Sequence, residues 1–397
     1  MIRNRGKNVW QIRLETGTDP VTGRRGKPDY RTFHGTKREA ELEEARLKLE
    51  MKQGTYVKLT KMTVGEYLDQ TLDSATTLRA RTREGYESII RVHLKPKLGS
   101  LLLGDLRPVH LQQYYTEKRQ EGLSDRTILH HHRLLQKYLD EAVNLQLLAY
   151  NPARRVSRPK PSTVEPQALS EKQLKAILSA TKGGELEIPT LLATVTGMRR
   201  GEVLGLPWKN VDLDEGLVII SQTLQGLKTG LALQPPKTAR SARAVSLPRF
   251  AVTVLKAEKK RVELALGGES IDEVLVCRRT DGSWWDPRWF SSLFTKAMKE
   301  AGLDGVHFHT LRHAQASLMI RRGLDIQATG TRLGHSTATT TLNIYAHTLH
   351  ETDRAAARLL DRALGGAEEK PERARAKSSG AKMVPIGVAK TAKRRAS

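Results

Sequence analysis

The chain has 397 residues, of which 67 are Lys or Arg and 43 are Asp or Glu, so its formal net charge is +24. This length indicates two or three domains, because single hydrophobic cores stop growing well below it. The charge predicts a polyanionic partner, with a ribosomal or membrane-surface protein as the competing explanation. The single cysteine excludes an intramolecular disulfide and a zinc site built from cysteines. No apolar run approaches the roughly 20 residues of a membrane span, so we expect a soluble intracellular protein without a membrane partner.

Residues 1–60 predict a small module with two or three short strands and one helix. VWQIRLETG and YRTFHG partly alternate apolar and polar residues, and DPVTGRRGKPD between them forms a basic hairpin tip. The segment after Thr36 is rich in helix formers and is predicted to end at Gly54. We expect Leu42, Ala45 and Leu49 to share one face of this helix.

Residues 63–153 show only helical periodicity and predict four or five helices. The predicted helix breakers are Pro96, Gly99, Gly104, Pro108 and Gly122. Three consecutive histidines, 130–132, suggest a metal site, but neighbouring helical residues point in different directions and no carboxylate or thiol is spaced to join them. A polar helix face near the expected polyanion is the preferred interpretation.

Residues 154–168 combine prolines and cations and are predicted to be an interdomain linker. Residues 169–365 then predict a mixed, mostly α domain with a small sheet, which opens on a capping box at Ser170 and Gln173. Cys277 is expected to be a core residue on a short buried strand. Residues 366–397 predict a basic, disordered tail. The expected fold class is mainly α with small β-sheets, an α+β multidomain architecture.

Two arginines and two histidines in the C-terminal half suit phosphodiester chemistry. Phosphoryl transfer spreads negative charge over nonbridging oxygens, and guanidinium groups bind such oxygens in a forked geometry. Arg199 lies in TGMRRGE after a predicted helix break at Gly197. Arg312 follows His309 by three residues, which places both on one helical face. His335 follows in LGHS. Each residue alone is more simply a surface cation or a packed histidine, and only their convergence favours a site.

A tyrosine and a lysine complete the set. Tyr345 lies ten residues beyond His335, and its phenol is a better leaving group than an alkyl alcohol. A phosphotyrosine bond therefore keeps enough energy for a later attack by a DNA hydroxyl, although packing of the ring is the alternative. Lys237 in PPKTARSARAV is placed to reach the leaving 5′-oxygen, with Arg240 and Arg243 as competitors. His313 is predicted to point to another face and is left outside the set.

These motifs, in this order and spacing, resemble those of the tyrosine recombinases, specifically the integrases of temperate phages and integrative elements. The motifs are TGMRRGE, PPKTARSARAV, HTLRHA, LGHS and TLNIYAHT. The resemblance covers residues 169–364 directly. Residues 63–153 are similar to the core-binding domain of that family, and the first sixty residues resemble its arm-binding domain.

The resemblance implies a role for each matching residue and a set of partners. The positions that activate the scissile phosphate match Arg199, Lys237, His309, Arg312 and His335. Tyr345 matches the nucleophile that becomes joined to the DNA 3′-phosphate, and Glu202 matches an acidic position that supports the first arginine. We therefore expect a site-specific DNA recombinase of the bacterial cytoplasm that uses no cofactor and no metal. The implied partners are duplex DNA with core and arm sites, three further copies in a tetramer, a DNA-bending host factor and an excisionase.

The N-terminal module would then bind arm-type DNA, with a hairpin that contacts phosphates without reading sequence as the simpler alternative. The candidate residues are Arg13, Arg24, Arg25, Lys27 and Arg31.

Two other functions stay open at this point. A type IB topoisomerase would use the same chemistry to relax supercoils instead of exchanging strands. A DNA-binding regulator or a nucleoid protein would keep the fold and lose catalysis.

Overall fold

A computed structural model describes residues 2–15, 26–53, 56–57, 61–162, 169–235 and 242–334 of the chain. Within these ranges the protein is mainly helical with small antiparallel sheets, so the predicted fold class is confirmed. Lys237, His335, Tyr345, the hairpin-tip residues Arg24 and Arg25, and the tail lie outside the described residues. No helix in the described part of the chain is long and apolar enough to cross a membrane.

The N-terminal module is a three-stranded antiparallel sheet covered by one helix. Its elements are β1 Ile2–Gly6, β2 Val9–Leu14, β3 Asp29–His34 and α1 Lys37–Lys52. The strand order is β1-β2-β3, and Thr36 and Glu39 form a capping box that starts α1. Ile12 and Leu14 of the sheet pack with Leu47 of the helix in a small core.

The face of α1 that carries Leu42, Ala45 and Leu49 is not the face that packs on the sheet. Leu42 and Leu49 are 65% and 55% exposed, and Ala45 is exposed as well, whereas Ala40 and Leu47 are buried. The helix carries two weak apolar stripes, and packing against the sheet selected the one that contains Ala40.

The helical half, residues 61–162, contains four long helical segments, within the predicted number. Its elements are α2 Val64–Ser74, α3 Ala80–Ile89, a π-helical stretch Ile90–Leu94, α4 Lys95–Leu98, α5 Pro108–Gln120 and α6 Asp125–Asn144. Their apolar faces form one continuous core, and its largest fully buried side chains include Tyr114, Tyr115 and Tyr138.

The prediction that Pro96 breaks a helix is wrong, because the chain stays helical from Ala80 to Leu98. Proline lacks an N–H, and its ring clashes with the carbonyl four residues earlier in a regular α-helix. The wider π-helical turn directly before Pro96 relieves both constraints, so the helix continues.

The interpretation of the histidine run as a polar face near DNA is wrong for two of the three residues. His130 is exposed, but His131 and His132 are 1% and 3% exposed in the core between α5 and α6. The Tyr114 hydroxyl lies 2.8 Å from Nδ1 of His131, and the Tyr115 hydroxyl lies 2.9 Å from Nδ1 of His132. These histidines are packed polar groups with a buried partner each.

The C-terminal half, residues 169–334, surrounds a second and larger core. The elements of this half are α7 Glu171–Thr181, α8 Glu187–Thr196, α9 Arg200–Leu204, β4 Val211–Asp212, β5 Leu217–Ile220, β6 Thr223–Leu227, β7 Gly230–Gln234, β8 Arg243–Ser246, α10 Arg249–Ala265, α11 Pro287–Glu300, α12 Phe308–Arg321 and α13 Ile326–Leu333. β5 pairs with β4 and β8, while β6 and β7 form a separate hairpin. The capping box of Ser170 and Gln173 is confirmed.

Cys277 is buried as predicted, and burial raises the pKa of its thiol well above the ordinary value. The predicted strand around it is wrong. The backbone there makes only an isolated bridge between Pro207 and Leu275. Between the two halves, residues 152–155 form a short 3₁₀ turn, and the chain then runs to residue 162 without helix or strand. The domain limits given by the sequence stay predictions.

Candidate active site

Arg312 lies at the junction of three helices. It belongs to α12, and only 3% of it is exposed. Its guanidinium donates to the Gly197 carbonyl at 2.5 Å and to the Leu333 carbonyl at 2.6 Å, at the carboxyl ends of α8 and α13. A cation is favourable at a helix carboxyl end, where carbonyls lack partners. Arg312 thus ties together the chain segments that lead to Arg199 and to His335.

The approach of these helices depends on Gly197. This residue ends α8 with a left-handed φ of 67°, as the predicted helix break requires. A Cβ atom at this position would come within 2.5 Å of Gln315 and of Leu333. A larger residue would therefore force the side chains of Gln315 and Leu333 to move, at a φ that side chains rarely adopt.

Arg199 is the N-cap residue of α9 and is held by Glu202. Its backbone N–H donates to Oε2 of Glu202 at 2.8 Å, and its guanidinium donates to Oε1 at 2.9 Å. The guanidinium also donates to the carbonyl of Gly334 at 3.1 Å, and 41% of the side chain is exposed. Arg199 is fixed on one side and open on the other, which suits a group that binds a phosphate.

A second arginine holds Glu202 from the protein interior. Arg243 of β8 is 7% exposed and donates to both carboxylate oxygens of Glu202, at 3.3 and 3.0 Å, and to the Arg332 carbonyl at 2.8 Å. Burial alone would raise the pKa of Glu202, but the hydrogen bonds and charges of Arg243 and Arg199 outweigh burial and lower it. Glu202 is therefore an ionised, buried link between the two arginines. Arg243, a competitor of Lys237 in the sequence, has a supporting position instead.

His309 lies in the first turn of α12 and faces a cleft. Its pKa is lowered to about 4, first by burial on its protein side and then by His313, Arg312, Arg199 and Arg200. The ring is consequently neutral near pH 7. The prediction that His313 points to another face is wrong. Its ring packs edge-to-face on the ring of His309, with the two centroids 4.8 Å apart. Residues four apart share a helix face, a spacing that the sequence already showed.

The cleft has a volume of about 750 Å³ and lies between the helical half and the C-terminal half. Its lining includes Arg79, Arg81, Arg199, Arg200, Arg288, His307 and His309. None of the described residues that line it is acidic. A concave surface with five arginines and no carboxylate favours a polyanion.

Sequence reasoning missed several of these cations. Arg200 is half-buried beside Arg199 and donates to the Ser291 hydroxyl, and burial lowers its pKa. Its position directly after Arg199 was a signal, as was the Arg79–Arg81 pair at the start of α3. Arg288 gave no such signal, because α11 is remote from both in sequence.

The structure brings Arg199, Arg312, His309 and Glu202 together. Lys237, His335 and Tyr345 are outside the described ranges, but the chain reaches the last described residue, Gly334, within hydrogen-bond distance of Arg199. Within those ranges, no group of three His, Cys, Asp or Glu side chains is arranged to hold a metal ion.

The candidate DNA-binding residues of the N-terminal module differ in exposure and in the face of the sheet on which they lie. Arg13 is exposed and pairs with Glu15 at 2.8 Å, and Lys27 is exposed. Arg31 is on the opposite face of the sheet, paired in register with buried Ile12. It donates to the Tyr56 hydroxyl at 3.2 Å and to the Val57 carbonyl at 2.6 Å, so it anchors the chain after α1.

Two family profiles match the chain. The phage integrase family matches residues 167–352, and the N-terminal SAM-like domain of phage integrases matches residues 63–119. Together these segments span more than half of the chain.

Similar proteins cover most of its length. A XerC-like tyrosine recombinase of Caldanaerobacter subterraneus subsp. tengcongensis is 27% identical over 87% of this chain and 93% of its own length. The ICEBs1 integrase of Bacillus subtilis is 24% identical over 89% of this chain and 96% of its own length.

Solved structures show the same fold. The Tn1549 transposon integrase, in complex with circular intermediate DNA, superposes with a TM-score of 0.65 at 20% identity, over 75% of this chain and 99% of that one. A lambda integrase tetramer bound to a Holliday junction gives a TM-score of 0.54 at 20% identity, over 86% and 94%. The chain therefore belongs to the phage integrase family of tyrosine recombinases and is a site-specific DNA recombinase.

Proposed function

We propose that the cleft holds the scissile phosphate of a core-type site and that strand cleavage proceeds through a covalent bond to Tyr345. The observation that carries this proposal is the convergence of Arg199, Arg312 and His309 beside an arginine-lined cleft. Arg199, open to the cleft, binds a nonbridging oxygen, and Arg312 holds the surrounding backbone while adding its charge.

In the proposed step, the Tyr345 oxygen attacks phosphorus and the bond from phosphorus to the 5′-oxygen breaks. The phenolic proton passes to neutral His309, and Lys237 protonates the leaving 5′-oxygen. His335 donates to a nonbridging oxygen. The product is a 3′-phosphotyrosine bond and a free 5′-hydroxyl, and attack by a 5′-hydroxyl of another strand reverses the step.

The other partners also belong to this proposal. Tetramers on Holliday junctions are known for the lambda integrase, and we infer the same assembly here. Arm-type DNA would lie on the outer face of the N-terminal sheet, where Arg3, Arg5 and Arg13 are exposed next to the strand that leads to Arg24, Arg25 and Lys27. Arg31 is left out, since its guanidinium is bound on the inner side. A DNA-bending factor and an excisionase complete the set of expected partners.

The test is a nicked duplex taken from the DNA that flanks the gene, with the nick placed so that a cleaved strand diffuses away. The wild-type protein should accumulate a covalent adduct that survives denaturing electrophoresis. Tyr345→Phe should bind the duplex equally and form no adduct. An adduct with this variant would contradict the assignment, and relaxation of supercoiled DNA without a second site would indicate a topoisomerase.

Lys237→Ala tests the proton donor. It should slow adduct formation, and a substrate with a 5′-thio leaving group, which needs no proton, should restore the rate. Equal cleavage of the ordinary substrate by this variant would move the role to another cation, with Arg240 as the first candidate.

A further inference from the structure

The turn of the β6–β7 hairpin contacts helix α3 of the other half. The backbone N–H of Lys228 donates to a carboxylate oxygen of Glu84 at 2.6 Å. The ammonium of Lys228 lies 2.9 Å from each carboxylate oxygen of Glu87. Arg81 adds a bond of 3.3 Å to the Gly226 carbonyl. These residues are more than 140 positions apart in sequence, so the contacts join the parts of the chain that surround two different hydrophobic cores.

The Lys228–Glu87 ion pair is exposed, at 56% and 42% of the two side chains, and the sheltered part of the contact is at Glu84. Glu84 is only 16% exposed on its side chain and is also 3.3 Å from Arg81, which fixes the carboxylate that receives the backbone N–H. The Lys228 hydrogen bond lowers the pKa of Glu87, so this carboxylate is ionised. A backbone donor and a charged side chain on one residue thus bind two carboxylates one helical turn apart.

The same elements form the wall of the cleft. Arg81 and Thr82 of α3 line it, as do Gln225 and Gly226 of the hairpin. The contact of Lys228 with Glu84 and Glu87 therefore lies at the edge where the helical half and the C-terminal half meet. Opening it would separate two walls of the cleft.

We propose that Lys228, Glu84 and Glu87 form a latch that keeps the two halves closed on bound DNA and slows its release. The proposal rests on the proposed function, since it takes the cleft as the place of the duplex. In this role the three side chains are positioning residues. They hold the walls and contact no reacting atom.

The double substitution Glu84→Gln and Glu87→Gln separates the latch from plain electrostatics. It removes two negative charges beside a polyanion, which by charge alone should slow dissociation of DNA. Loss of the latch should change the dissociation rate in the opposite direction, and we expect dissociation to be about fivefold faster than in the wild type. The measurement is the dissociation rate of a fluorescent copy of the nicked flanking duplex, chased with unlabelled duplex. Unchanged or slower dissociation would overturn the proposal.

A matched control changes the charge equally at other sites. Glu258 pairs with Arg261 and Glu273 pairs with Lys209 on the C-terminal half, and neither carboxylate lines the cleft. Glu258→Gln with Glu273→Gln should leave dissociation unchanged or slightly slower. Acceleration equal to that of the latch variant would show that loss of surface carboxylates away from this contact also speeds release, and it would overturn the latch.

Reversal of the ion pair gives a second readout. Lys228→Glu should accelerate dissociation, and adding Glu87→Lys should return it to within about twofold of the wild-type rate, because the new pair has the same partners in reverse. Failure of this rescue in a folded double variant would also count against the latch. Absence of any wild-type adduct would instead contradict the proposed function, so the two failures are distinguishable.

Discussion

The helical half and the C-terminal half both bury polar side chains, but of different kinds. In the helical half, buried Lys118 pairs with Glu121, which is 42% exposed, and the pairs whose two members are both buried are neutral, with His131 and His132 against tyrosine hydroxyls. In the C-terminal half they are ionised, with Arg243 and Glu202 in contact and Arg312 on backbone carbonyls. Buried charges cost desolvation energy and are weak evidence for stability. In the C-terminal half these buried charges are concentrated around Arg199. We infer that this half loses some free energy of folding in order to hold a charged site, whereas the helical half uses neutral polar pairs to fix its packing.

Substitution of Arg312 with lysine should produce the largest difference. An ammonium cannot donate in the fixed planes that reach both the Gly197 and Leu333 carbonyls, so the junction loosens and the backbone that positions Arg199 shifts. We expect adduct formation to slow by about a thousandfold in single-turnover assays, with DNA binding retained. Arg322→Lys, at the exposed end of the same helix, is the control and should react normally. A rate within tenfold of wild type would show that the junction does not need a guanidinium.

Glu202→Gln should be the next largest change. It leaves Arg243 buried without its counter-charge, and the free energy of unfolding should fall by about 3 kcal/mol in urea denaturation. Adduct formation should slow as well, because Arg199 loses its partner. Glu273→Gln, which breaks an exposed pair with Lys209, should cost less than about 1 kcal/mol. Equal losses in the two variants would remove the distinction between buried and exposed charge.

Acid should destabilise the helical half through its buried histidines. Burial, together with the nearby His93, Lys118 and His130, lowers the pKa of His131 from 6.5 to about 4. The unfolded chain therefore binds more protons between pH 6.5 and 4, and stability falls as the pH drops through this window. For His131 the loss should approach about 3 kcal/mol at the acid end.

The measurement is urea denaturation at several pH values, followed by far-ultraviolet circular dichroism. His131→Gln should flatten the dependence, since glutamine keeps an acceptor for Tyr114 and does not titrate. The exposed His130→Gln is the control and should keep the wild-type slope. A slope that is unchanged in His131→Gln would assign the acid effect to other groups.

The smallest effect is expected for Tyr115→Phe. This change removes the hydroxyl that His132 binds and leaves the ring in place, at a cost of about 1 kcal/mol of unfolding free energy. Adduct formation should stay at the wild-type rate, because the pair lies in the helical core. A slower reaction would indicate that the neutral pairs also serve the site, and the comparison between the halves would fail.

The sequence predicted the parts that depend on local chemistry. The capping box at Ser170 follows from side chains within three residues, and so does the helix end at Gly197. The pairing of His309 with Arg312 on one helix also follows from spacing alone.

The errors came where packing chose between local alternatives. The apolar pattern of α1 allowed two faces, and only the sheet decided that Ala40 and Leu47 face inward. The run of three histidines predicted an exposed polar face, but two tyrosines of another helix pack against His131 and His132 in the core. Pro96 was predicted to break a helix, but the π-helical turn before it lets the helix continue.

By itself, the sequence determined the family, the fold class and the residue types of the site, because motif order and helical spacing are properties of the chain. The tertiary structure alone decided which groups surround them. Arg243 reaches Glu202 across 41 residues, and Lys228 reaches Glu87 across 141. Such contacts depend on how separate cores meet, and no local pattern encodes the distance between two elements that are remote along the chain.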